Sequence, residues 1–451
     1  MKLNRSVSRF ALGAALLGAS AWNAFAAEET LRDLAKERGR YIGAILNSEW
    51  FRGDIEPEFE QIHKTQFNTV VAENEMKFDA TEPSEGQFNY TYGDKMVQYA
   101  KENGMRVRGH ALAWHSQVPN WVNNYKGQKE KLLQVLKTHI DSVVGHWKGD
   151  VAEWDVVNEA VNDGDHTWRD QGSVWFETIG EEFLDSAFVW AHAADPDAEL
   201  CYNDYAIEWG LGQGSKAGFV LEQVKRWKEN GIPITCVGTQ THIEIAHVTT
   251  PENVRAFAKA LAEYGVTLNI TELDIGFPNG SASSLGAADY AKQGHLYRQF
   301  MDVFLEEPNM GEFVIWGLTD AHSWLDAQQG KTQGLLWDKQ YNPKPAFDSL
   351  IISFKAHPAS EVVTPYKFNK DTTSIAKQTK LPRISANLTG RTLAITGTSS
   401  AKVELFDMQG RPVFSGKAES SSINLNNIAN GLYVVRIRAG TANLIQRIAI
   451  K

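Results

Sequence analysis

The stretch Val151 to Ala160, VAEWDVVNEA, opens as a strand and closes on chemistry. Its apolar, β-branched positions suit a strand buried in a parallel sheet, and Asn158 and Glu159 stand where such a strand gives way to a loop. A single Glu at a strand end is more often a helix cap or an ion-pair partner. A second stretch alters that balance: Val266 to Asp274, VTLNITELD, is again an apolar strand, and it ends on Glu272 and Asp274. Two acids at two strand ends are what glycoside hydrolysis needs.

Working outward, buried strand-like runs recur at Tyr41 to Leu46, Phe67 to Ala72, Met105 to Trp114, Val151 to Asn158, Glu199 to Asn203, Ile234 to Thr241, Val266 to Thr271 and Glu312 to Leu318. Helix-like stretches separate them. In Lys129 to His146 the residues Leu132, Leu136, Ile140 and Val143 form one apolar stripe, as a helix packed against a sheet requires. Eight strands alternating with amphipathic helices predict an α/β fold of the (β/α)8 barrel type over residues 27–357, and in that architecture the chemistry sits where strands end.

The flanks read differently. Residues 1–26 carry Lys2, Arg5 and Arg9, then an apolar run from Phe10 to Leu17, then Ala24-Phe25-Ala26, which together predict a secretory signal peptide cleaved after an A-x-A site. A membrane anchor is the weaker reading, because the run is short and contains Gly13 and Gly18. Residues 358–381 mix Pro, Ser, Thr and Lys without a period and read as a linker. Residues 382–451 show short alternating runs, among them Val403 to Phe406, Leu432 to Ile437 and Leu444 to Ile450, and predict a small all-β sandwich. From Lys380 onward the tail carries ten Lys and Arg against three Asp and Glu, a net of +7 within a chain of net charge -10. Domains of opposite charge point to separate tasks, and the acidic remainder argues against a nucleic-acid partner. No later segment is long and apolar enough to span a bilayer. The two cysteines, Cys201 and Cys236, exclude a disulfide-dense scaffold; an exported chain allows them to pair or to remain as two buried thiols. Fourteen Trp residues suit a sugar-binding protein, although many must serve the core.

Six strand ends offer specific groups. They are Glu73, Asn74 and Lys77 after the second strand, His110, Trp114, His115 and Gln117 after the third, and Asn158 and Glu159 after the fourth. The sixth contributes Gln240 and His242, the seventh Glu272 and Asp274, and the eighth Trp316, Asp320 and Trp324. Any one could be structural, but their joint placement is hard to explain by packing. Alternation along a strand sets Glu272 and Asp274 on one side, and likewise Gln240 and His242. His110, His115 and His242 could in principle hold zinc, yet no short metal-binding spacing accompanies them, so neither a metal nor another cofactor is expected.

ENEMK, GHALAWHSQVPNW, WDVVNEA, YNDY, TQTHI, ITELD and WGLTDAHSW, in that order over about Leu31 to Phe354, closely resemble the glycoside hydrolase family 10 endo-xylanases. The resemblance implies a retaining enzyme acting on xylan or xylo-oligosaccharides, with Glu159 as acid/base and Glu272 as nucleophile. It implies His242 between Glu272 and Asp274, donating to the nucleophile, and Asn158 on the sugar 2-hydroxyl. Glu73, Asn74 and Lys77 would hold the neighbouring sugar on the non-reducing side, His110, Trp114 and Gln117 would complete the floor, and Trp316 and Trp324 would close over the cleavage point. For retention the two carboxyls should lie ~5 to 5.5 Å apart, and the Glu272 charge is expected to raise the pKa of Glu159. A cellulase or mannanase on the same barrel, and a silent barrel that only binds polysaccharide, are the competing readings. The tail stretches VELFDMQGRPVFSGK and NGLYVVRI resemble the C-terminal sorting domains of the type IX secretion system, which would make the secretion machinery a partner; a carbohydrate-binding module fits less well in a tail without Trp.

Overall fold

The structure, a computed structural model, describes residues 29–359 except 247–249 and 327–329, and residues 385–450 except 397, 399, 408–411, 419–421 and 440–441. The expected signal peptide and all but the first two residues of the expected linker lie outside the described residues.

Eight parallel strands close into a barrel. They are β1 (Tyr41–Leu46), β2 (Thr69–Ala72), β3 (Arg106–Trp114), β4 (Glu153–Asn158), β5 (Glu199–Asp204), β6 (Cys236–Thr239), β7 (Thr267–Pro278) and β8 (Glu312–Ile315). Each pairs with its sequential neighbour, and β8 returns to β1 through Tyr41 opposite Glu312 and Ala44 opposite Ile315. Helices pack outside, as the apolar stripes require: Leu132, Leu136, Ile140 and Val143 of the helix Lys129–His146 are all fully buried. Among the described residues no helix is long and apolar enough to cross a membrane.

Every strand but β1 differs from expectation at a boundary, and four of these differences have a visible cause. β2 begins at Thr69, because Phe67 is the C-cap of the helix Pro57–Gln66; the Asn68 side chain then ties the start of β1, accepting from the Ile42 N–H at 2.7 Å and donating to the Arg40 carbonyl at 3.1 Å. β6 stops at Thr239; Thr241 takes a left-handed conformation (φ 61°), and a short strand resumes at His242–Glu244, paired with β7. β7 runs six residues beyond Glu272, since its far end still finds partners in that short strand and in Lys331–Thr332. β8 ends at Ile315 rather than Leu318, where Gly317 adopts φ 146° against the Leu335 side chain.

The barrel interior below the mouth is charged. Arg108 pairs with Glu153, with Asp155 and, at 2.9 Å, with Glu312, while Arg106 reaches Glu153 at 2.7 Å. Cys201 and Cys236 face each other in register on β5 and β6 and are joined as a disulfide. The described part of the tail forms two antiparallel sheets. Ser385–Thr389, Thr392–Thr396 and Ser422–Asn424 make one; Ala401–Phe406, Pro412–Ala418, Gly431–Ala439 and Ala442–Ile450 make the other. Alternate residues, including Leu393 and Ile395 from the first and Val403, Leu405, Val435 and Ile437 from the second, meet in one core, as a sandwich requires.

Candidate active site

β4 delivers the first acid. Asn158 is its last residue, and Glu159 follows in a left-handed conformation (φ 53°) that lifts the side chain out of the strand's alternation. Trp114, ending β3, donates its indole N–H to Glu159 Oε2 at 2.7 Å, and Gln240 donates to Oε1 at 2.8 Å. Trp114 is itself fixed from behind by the Trp175 N–H on its carbonyl at 2.8 Å. Burial pushes the Glu159 carboxyl up; the Gln240 hydrogen bond opposes this, and the negative charges of Asp204 and Glu272 add to the rise. The expected influence of Glu272 is present, but removal from water is the larger one, and Asp204 precedes Glu272.

The second acid is supported differently. Glu272 is not at a strand end, as the sequence suggests, but inside β7 at an irregularity between Ile270 and Leu273, where the pairing with β8 slips and the side chain is re-aimed. His242 Nε2 donates to its Oε2 at 3.1 Å, and Asn203 donates to its Oε1 at 2.7 Å. Burial alone would raise the Glu272 carboxyl, but the His242 hydrogen bond and the positive fields of His110 and His242 hold it below its ordinary value. The His242 Nδ1 contacts Asp274 at 2.8 Å. Burial would discharge this imidazole; Asp274, with Glu272, overrides it and pushes the pKa up to about 10. His242 is therefore an imidazolium with both N–H groups committed to carboxylates. It has no lone pair to give a metal. His115, lowered to about 4 chiefly by burial, points away from metal chemistry only in its address: its neighbours are Arg169 and the Glu159 backbone, not His242.

A hydrogen-bonded bridge joins the two acids. Asn203 Nδ2 also contacts Asn158 Oδ1 at 2.9 Å, and Gln240 reaches the same oxygen at 3.4 Å on its way to Glu159. Asn158 Nδ2 is buried with no hydrogen-bond partner among the described residues, a donor left unused. On the β2 side Lys77 donates to Asn74 Oδ1 at 3.0 Å and Gln117 Oε1 at 2.8 Å, and lies 5.0 Å from the Trp114 ring centroid. Burial lowers the Lys77 ammonium against the opposing attraction of Glu272, Glu73 and Glu159. Glu73 accepts from Asn47 at 3.1 Å and is raised, chiefly by burial. His110 Nδ1 meets Asp155 at 2.9 Å. Trp316 stands edge-on to His110 with centroids 5.3 Å apart, and Trp324 lies 4.8 Å from the His242 ring while its N–H donates to Asp274 at 3.0 Å.

The residues expected at the site thus come together, by a partly different route. Gln240 and His242 do not share a face of one continuous strand: the break at Thr241 lets Gln240 serve Glu159 while His242 serves Glu272. Asp320, noted at the eighth strand end, is structural, held by Lys344 at 2.8 Å and the Leu335 N–H at 2.9 Å. Sequence reading missed Asn203, which touches both Asn158 and Glu272, and Asp204 beside it. Their signal was present, since YNDY ends β5 as WDVVNEA ends β4, but an Asn at a strand end has no chemistry of its own to flag it.

Known proteins show the same frame. Residues 388–451 match the secretion system C-terminal sorting domain. The endo-1,4-beta-xylanase B of Thermotoga neapolitana is 39% identical over 324 residues, covering 70% of this chain and 89% of that protein. Native xylanase 10B from Thermotoga maritima superposes with a TM-score of 0.68 at 37% identity, covering 73% of this chain and 98% of that one. Xylanase 10B from Thermotoga petrophila RKU-1 in complex with xylobiose gives the same TM-score, identity and coverage. Residues 30–352 match Glycosyl hydrolase family 10, and the chain belongs to that family.

Proposed function

We propose that this chain is a secreted, endo-acting, retaining β-1,4-xylanase that works by double displacement on xylan and xylo-oligosaccharides. The observation that carries the reading is the opposite bias of the two facing acids, Glu159 raised and Glu272 lowered. An acid that keeps its proton and a neighbour that has lost its own are the starting state for attack on an anomeric carbon. Glu272 attacks, and Glu159 passes its proton to the leaving oxygen. Once Glu272 is esterified its charge is gone, which removes one of the influences raising Glu159 and lets Glu159 take a proton from the incoming water. Asn158, with its unpartnered Nδ2, donates to the 2-hydroxyl of the sugar at the cleavage point, a contact that tightens as positive charge develops on the ring. Glu73, Asn74 and Lys77 bind the next sugar on the non-reducing side. Trp316 and Trp324 fill the space that a hydroxymethyl group on C5 would need, which favours xylose over glucose and mannose. The tail acts as the address read by the secretion machinery, and export and catalysis are separate tasks of separate domains.

The test is a pair of variants. Glu272→Ala should silence every substrate. Glu159→Ala should lose xylan hydrolysis but still be glycosylated rapidly by aryl xylobiosides with acidic leaving groups, which need no proton. Equal loss of the pre-steady-state burst in both variants would sink the division of roles. Product analysis of the native protein on xylan, cellulose and mannan decides between xylanase and its cellulase or mannanase alternatives.

A further inference from the structure

The loop after β5 presents an indole to solvent in a way that packing does not account for. Residues Ile207–Trp209 form a single 3-10 turn. Ile207 and Glu208 are buried beneath it, while Trp209 is 49% exposed. The turn is held on each side. Glu208 accepts from Thr239 Oγ1 at 3.2 Å, at the end of β6, and the Trp209 carbonyl accepts from Asn253 Nδ2 at 3.0 Å, in the first turn of the helix Pro251–Ala262. It is also bracketed by left-handed residues, Ala206 at φ 60° and Gly210 at φ 108°. A Cβ on Gly210 would come within 2.9 Å of the Asn253 side chain, so the chain crosses there in close contact. Strained backbone of this kind persists where the surroundings over-determine it. Trp209 is thus an exposed aromatic face on a fixed support, with Leu211, 39% exposed, beside it.

Its position in the barrel gives the indole a use. Given the proposed function, on which this inference rests, the non-reducing side of the chain lies against Glu73, Asn74 and Lys77 on the β2 side, and the leaving oxygen faces Glu159 at the end of β4. The leaving portion of a polymer therefore continues around the mouth toward the ends of β5 and β6. Tyr205 comes first: its hydroxyl accepts from Arg169, whose Nε also holds the Glu159 carbonyl at 3.2 Å. Trp209 follows four residues later on the same rim. We propose that Trp209 is a stacking platform for a xylosyl unit beyond the first on the leaving-group side. A pyranose presents a flat C–H face to an indole, and a rigid platform loses little rotamer freedom on binding.

Because the contact lies away from the bond being cut, it should strengthen binding of long substrates and fix their register in the cleft. The experiment compares Trp209→Ala and Trp209→Phe with the native full-length chain on reducing-end-labelled xylohexaose and on an aryl xylobioside. The ratio of kcat/KM for the hexaose to that for the aryl glycoside should fall about two- to tenfold in Trp209→Ala, chiefly through KM. The positions of hexaose cleavage should shift toward the reducing end, since a long leaving portion is no longer favoured. Trp209→Phe, which keeps a ring, should recover part of both effects. If a folded Trp209→Ala keeps the native ratio and the native cleavage pattern, Trp209 is not a subsite. Failure of the native chain to cleave either xyloside would instead overturn the xylanase reading, so the two failures are distinct.

Discussion

Replacing His242 with Gln tests the electrostatic division between the two acids. In the native protein the imidazolium hydrogen bond is the main influence that keeps Glu272 ionised against burial. Gln can still offer an amide N–H but carries no charge. The Gln amide still bonds an ionised acceptor, so what the exchange removes is the imidazolium's charge; because that charge is shared with Asp274, a loss of about 1 kcal/mol, close to one pH unit, sets the lower end. Loss of the full charge sets the upper end: two unit charges about 4 Å apart at an effective dielectric near 20 interact by about 4 kcal/mol, or about three units. The acid limb of the kcat/KM profile, which follows ionisation of the nucleophile in the free enzyme, should therefore move to higher pH by about one to three units. The alkaline limb belongs to Glu159, raised mainly by burial, and should hardly move.

The assay is the pH dependence of aryl xylobioside hydrolysis by the native chain and the variant. One complication is structural: without the imidazolium, Asp274 keeps the Trp324 N–H, and its buried Oδ1 has no partner among the described residues. The double variant His242→Gln/Asp274→Asn removes that stranded charge and controls for it. An acid limb that stays in place in both folded variants would refute the assignment of His242 as the group that keeps the nucleophile ionised.

Three further outcomes are expected. Arg108→Met leaves Glu153, Asp155 and Glu312 without their shared buried cation and should cost the barrel about 3–5 kcal/mol in urea unfolding; a loss below about 1 kcal/mol would show that protonation of these acids compensates. Trp324→Ala should narrow the preference for aryl xylobioside over aryl cellobioside by about tenfold or more, and an unchanged ratio would remove the indole wall as the selector. Truncation after Pro358 should leave turnover on soluble xylan within about twofold of native while blocking export in the host, because every proposed catalytic group precedes the cut.

The barrel was legible because its strands are buried on both sides and its helices on one, so the two periodicities alternate without ambiguity along the chain. The ends of the strands were less so. Phe67 is apolar enough to read as strand, yet it closes the preceding helix Pro57–Gln66, its N–H donating to the His63 carbonyl at 3.2 Å. β7 outran its expected end because later segments supply it with partners, and no local pattern carries that information. The acids themselves were visible, since a carboxylate after an apolar strand is conspicuous. Asn203 was not, because a neutral amide gains its meaning only from the two groups it touches.

The direction in which each side chain points is set by backbone that pattern reading treats as forbidden. Gln117, Glu159, Ala206 and Thr241 all adopt positive φ, and each follows the end of one of β3 to β6 at the mouth. Such conformations cost on the order of 1–3 kcal/mol apiece, and for a β-branched residue such as Thr241 the conformation is a real outlier. A continuous strand through Thr241 would aim Gln240 and His242 the same way, and both would serve one acid. The left-handed step separates them, so that Gln240 meets Glu159 and the charged His242 meets Glu272. A neutral donor on the acid that must keep its proton, and a cation on the acid that must lose it, is the arrangement the chemistry needs. Propensity opposes the conformation that produces it, which is why the strand seemed to continue and why the strain collects at this rim.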